Sequence, residues 1–139
     1  MFKKFTIMLL SVANAIFMLK FALPKLMAAD VSVRSFQQFA EVLPVNANVF
    51  MYFTGVLELL VALVFIVSVL LMQGQKGIVM TLIGLILLVG TLSGALLTEY
   101  FIRPAPIDFL VQLCCIFLFG AAIHLYLIRN EVKVLFSKV

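Results

Sequence analysis

Four long apolar runs, each about as long as a bilayer is thick, leave this chain of 139 residues few folds to choose from. A helix rises about 1.5 Å per residue, so roughly 20 apolar residues cover a hydrocarbon core about 30 Å thick. Inside that core the backbone finds no water, and only helices or a closed barrel satisfy their own amides. The runs are continuous rather than alternating, which selects helices. The fold class expected is therefore all-α, a four-transmembrane-helix bundle with helices over about 5–27, 49–72, 78–98 and 107–129. Composition agrees: 65% of the residues are apolar and 12% charged, too few polar groups to coat a soluble domain. No linker, low-complexity tract or charge run divides the chain, so one domain over 1–139 is expected.

The first run begins like a secretory signal. Lys3-Lys4, a short apolar stretch and Ala13-Asn14-Ala15 match its charged region, core and small-residue site. The apolar run continues to Leu23, which favours an uncleaved first helix. Gln73-Gly74-Gln75-Lys76-Gly77 forms a tight turn, making the second and third helices an antiparallel hairpin. With four spans the termini and this turn share one side. That side holds Lys3, Lys4, Lys76, Arg129, Lys133 and Lys138; the other holds Lys25, Arg34 and Arg103, diluted by Asp30, Glu41, Glu99 and Asp108. The asymmetry places both termini in the cytoplasm, with a bacterial cytoplasmic membrane as the expected location. The net charge of +4 then serves topology and contact with lipid headgroups; no basic stripe points to nucleic acid.

The one long connection, Met27 to Asn48, carries Val33, Phe36, Phe39 or Ala40, and Leu43 at helical spacing, between Arg34, Gln37, Gln38 and Glu41. The pattern predicts a short interfacial amphipathic helix, started near Ser32 and stopped by Pro44. It serves either as a packed cap or as a lid over a lipid-accessible cavity. Arg103-Pro104-Ala105-Pro106 stiffens the second outer connection.

Within the spans, Glu58 stands out. It lies about nine residues into the second helix, roughly 13 Å along its axis. A charge near mid-membrane costs on the order of 3 kcal/mol, more against lipid. Gly55 and Ala62 flank it at helical spacing, so this face is expected to meet another helix. A buried ion pair, a protonated carboxyl, or a proton, ion or ligand site all fit. Lys20 and Lys25 are the two possible partners, about 140° apart around the first helix. Depth favours Lys20. Facing favours Lys25, which continues the stripe Ser11, Asn14, Met18, Phe21. The third helix aligns Thr81, Gly84, Thr91, Gly94 and Thr98 in the composition of a close contact. The fourth aligns Asp108, Gln112, Cys115, Phe119 and Ala122, expected to face the bundle, and leaves His124 off that stripe at the interface. Glu58, Lys25, Lys20, Asn14, Gln112 and Glu99 are thus the candidates for an ion-pair or ligand site. With one histidine and adjacent Cys114 and Cys115, no metal site is expected; nor is there a Cys-x-x-Cys motif, a hydrolase triad or a phosphate loop. No catalytic residue is expected.

The chain resembles the DoxX-like family of small four-helix membrane proteins. Phe21-Ala22-Leu23-Pro24-Lys25-Leu26 is similar to that family's close of its first helix, with Ala22 where glycine is common. Phe39-Ala40-Glu41-Val42-Leu43-Pro44 resembles the entry to its second helix, and Thr54-Gly55-Val56-Leu57-Glu58-Leu59-Leu60 its Gly-x-x-Glu pattern. Gly94-Ala95-Leu96-Leu97-Thr98-Glu99 resembles the close of its third helix, with Glu99 where many relatives carry histidine. The resemblance covers helices one to three by motif and helix four by hydropathy. It implies a four-helix bundle and singles out Lys25 and Glu58. It supplies no activity, since relatives range from quinone-linked redox subunits to receptor-assembly chaperones. Three functions follow as expectations. The first is a non-enzymatic accessory protein that binds a partner membrane protein, a second copy or a lipid-like molecule. The second is a membrane subunit of a quinone-linked oxidoreductase, with quinone or lipid as the possible bound group. The third is a small proton-coupled transporter.

Overall fold

The computed structural model describes residues 2–72 and 74–137, all but the side chain of Phe136. Gln73 of the expected turn and Lys138 of the basic set lie outside them. Among the described residues there are five helices and no strand: α1 (Phe2–Leu26), α2 (Asp30–Ala40), α3 (Ala47–Leu70), α4 (Gln75–Phe101) and α5 (Asp108–Phe136). α1, α3, α4 and α5 are long and apolar enough to cross a membrane, the architecture of a multi-pass membrane protein. The spans overrun the apolar runs, because charged residues such as Arg129 and Lys133 extend a helix readily once it leaves hydrocarbon. α2 begins at Asp30 rather than near Ser32; Ser32 is buried within its first turn.

Local chemistry sets the joints. α1 carries Pro24 in its last turn and stops at Leu26, and Ala28 just beyond it has a left-handed φ of 49°. That conformation lets the Ala29 amide reach back to the Pro24 carbonyl at 2.8 Å and turns the chain into α2. Asn46 caps α3, its side-chain oxygen accepting from the amides of Asn48 and Val49 at 3.0 and 3.1 Å. Between α3 and α4 the turn closes so tightly that a Cβ on Gly77 would lie 2.4 Å from the Leu71 carbonyl oxygen. Only glycine fits there.

α1 and α3 form the tightest antiparallel pair, from Ser11 beside Ser68 at one end to Lys25 against Gly55 at the other. α4 returns beside α3, and Gly84 rests against the Phe65 ring, whose atoms would lie 3.1 Å from an added Cβ. α5 closes the bundle through Phe117, stacked on Phe17 at 3.6 Å between centroids, and through Glu131, bridged to Lys3 at 2.8 Å. Phe65, Leu88, Val61, Met18 and Ile128 make the core. α2 lies across one end on its own cluster of Phe36, Phe39 and Met51.

Two expected faces change. On α4 the small-residue stripe splits: Thr81 and Gly84 are buried, while Gly94 meets nothing within 4 Å. On α5 the stripe Asp108, Gln112, Cys115, Phe119 and Ala122 faces outward throughout. Cys114, Ala121, His124 and Ile128 face the core instead. The physical reason is the solvent. Lipid is as apolar as a protein interior, so apolarity does not distinguish the outer face of a spanning helix. A weakly polar stripe without a charge at mid-span is a poor guide to the inner face.

Candidate functional site

Glu58 faces inward as Gly55 and Ala62 require, 7% exposed. Its partner is Lys25, whose ammonium donates to Oε1. Gly55 makes this possible by letting α1 approach until a Cβ at that position would sit 3.0 Å from the Lys25 Cβ. From there the lysine stem runs one helical turn deeper to reach the carboxylate. The Lys25 ammonium also lies 6.0 Å from the Phe21 ring and 5.9 Å from the Phe36 ring of α2. Those aromatic faces add cation–π attraction and exclude water. Glu58 Oε2 is buried without a hydrogen-bond partner. A half-used carboxylate beside a mostly buried ammonium can accept from a hydroxyl or an amide, or bind a proton.

A second polar cluster holds the cap down. Glu99, 2% exposed, accepts from Arg103 Nε at 2.9 Å and from the Ile107 amide at 3.1 Å. Arg103 then reaches across to α2, donating through Nη1 to Gln38 at 2.8 Å and through Nη2 to Ser35 at 2.5 Å, its guanidinium 4.7 Å from the Phe39 ring centre. The fork geometry of arginine suits this bridge; one ion thereby joins α4, the α4–α5 connection and α2.

Of the six candidates from sequence, Lys25 and Glu58 are brought together, and Glu99 is buried in the neighbouring cluster. Asn14 is buried on the same face of α1, but its eleven-residue separation puts it about 16 Å along the helix from Lys25. Lys20 is exposed and Gln112 is exposed on the outward face of α5, so neither joins the site. Three participants are not singled out as site residues by sequence: Arg103, Ser35 and Gln38. Glu99 and Arg103 do stand at i, i+4, a spacing that suggests a pair, whereas the reach to Ser35 crosses between elements and leaves no sequence trace. His124, expected at the interface, is fully buried, 6.3 Å from Phe65 between ring centres, with neither ring nitrogen hydrogen-bonded. Among the described residues no three His, Cys, Asp or Glu side chains gather as a metal site would require. Comparison with family models, curated proteins and solved structures gives no match for this chain.

Proposed function

We propose that this chain is a small membrane accessory protein of the DoxX-like type, which engages a partner membrane protein or a lipid-like molecule at the Lys25–Glu58 site. The observation that carries this reading is Glu58 Oε2, a buried acceptor without a donor beneath the α2 cap. Lys25 holds the carboxylate in place while leaving that oxygen free, so the site is built to accept a hydrogen bond from outside the chain. The latch through Arg103 places α2 as the cover over it, and loosening that cover admits a binder. The proposal includes the orientation drawn from the basic residues: the start of α1 and the end of α5 in the cytoplasm of a bacterial cell, and α2 on the opposite face.

The test is affinity capture of the tagged protein from its own membranes, comparing wild type with Glu58→Gln and Lys25→Met. Loss of a specific co-purifying protein or lipid in both variants, with the bundle still folded by circular dichroism, supports the reading. An unchanged set of companions overturns it. Stabilisation of wild type by an added quinone, absent in Glu58→Gln, would instead transfer the site to a quinone-linked subunit.

A further inference from the structure

At the opposite end of the bundle, where α1 begins and α5 ends, the helices leave a cavity of about 400 Å³. That volume lies within the range of small-molecule sites. Its wall is apolar, with Ile7, Ile78 and Leu135, and its rim is polar, with Lys4, Gln75, Asn130 and Glu131. The cavity exists because α1 and α5 continue past the turn between α3 and α4, while the Lys3–Glu131 bridge ties their ends together at 2.8 Å. That bridge occupies Lys3 and neutralises Glu131. Lys4 forms no ion pair among the described residues, and Lys76, Arg129 and Lys133 surround the same end. An apolar slot in a spanning bundle, opening at the headgroup level under uncompensated positive charge, has the shape and charge of a phospholipid subsite.

We infer that this cavity binds an anionic phospholipid from the leaflet on the side of the α1 start, its phosphate at Lys4 and its acyl chain along Ile7, Ile78 and Leu135. The inference needs the helices to span a bilayer but is independent of Glu58, which lies at the other end. Juxtamembrane lysines contribute about 1 kcal/mol each to anionic-lipid binding, equivalent to roughly five-fold in affinity. A chain-filled cavity adds selectivity for a lipid over its free headgroup.

The experiment is native mass spectrometry of the full chain from mixed micelles, comparing phosphatidylglycerol with phosphatidylcholine of identical acyl chains. Wild type is expected to retain phosphatidylglycerol preferentially. Lys4→Gln should reduce that preference roughly five-fold. Val134→Trp, at a half-exposed position on the cavity wall, should abolish retention by filling the slot without disturbing the core. Lys20→Gln, exposed at the other end, should change nothing. Equal retention of both lipids overturns the inference, as does retention unaffected by Val134→Trp, or full competition by glycerol phosphate. Glu58→Gln should leave the lipid signal intact, so failure here and failure of the accessory reading are separable.

Discussion

At the level of single residues, the buried charges decide most. Lys25 compensates Glu58 at a depth where the carboxylate is costly without a partner. Removing one partner of such a pair typically costs about 3–5 kcal/mol, whereas replacing both with apolar groups is often near neutral. Glu58→Leu is therefore expected to destabilise the bundle by about 3 kcal/mol, and Lys25→Met with Glu58→Leu to recover most of it. Unfolding in detergent mixtures, read as a double-mutant cycle, checks this; an additive double variant would show that the two residues do not interact. His124 is the converse case, an imidazole whose two nitrogens have no partner. An unsatisfied buried polar group carries a penalty of about 1–3 kcal/mol. His124→Phe, which keeps a ring beside Phe65, should raise the melting temperature; a decrease would mean that the imidazole has a bonding partner. The choice between Lys20 and Lys25 also belongs to this scale. Sequence left depth and facing in conflict, and facing prevailed. A four-carbon stem spans the 5.4 Å of one turn, but nothing spans a 140° rotation around a helix.

At the level of elements, α2 is the part most open to manipulation, since its attachment is concentrated in Arg103 and the cluster of Phe36, Phe39 and Met51. Arg103→Lys keeps the charge but loses the fork that binds Ser35 and Gln38 together. Hydrogen exchange should then rise across α2 while α1 and α3 stay protected. Equal protection in wild type and variant would show that packing alone holds the cap. The existence of α2 and its apolar face at Phe36 and Phe39 were readable in sequence, because one side of this helix meets something other than hydrocarbon. The inner face of α5 lies close to half a turn from its expected stripe, for the opposite reason: Gln112 and Cys115 look outward, and Cys114 and His124 look inward. α3 could be oriented because Gly55, Glu58 and Ala62 report a close neighbour sterically, which holds in any solvent.

At the level of the whole molecule, the four spans were legible because length and apolarity alone set them. The cavity at the α1–α5 end was not, since it arises from how far those helices overrun the α3–α4 turn. The distribution of basic residues leads to a further expected outcome. A reporter active only in the cytoplasm, fused after the last residue, should be active, and one inserted in the connection between α2 and α3 should be silent. The reverse pattern would invert the proposed orientation and place the phospholipid cavity in the other leaflet.

Chain order gives the Lys25–Glu58 pair one more consequence, for synthesis. α1 precedes α3, so the lysine is made first and sits at a helix end, where its stem can hold the ammonium at the headgroups. The carboxylate emerges later, in the middle of its helix, where no such escape exists. With α1 already inserted, the carboxylate is expected to meet its counter-ion on entry rather than cross hydrocarbon unpaired. Reversing the order of these two helices in the gene would strand Glu58 during insertion even though the finished fold contained the same bridge.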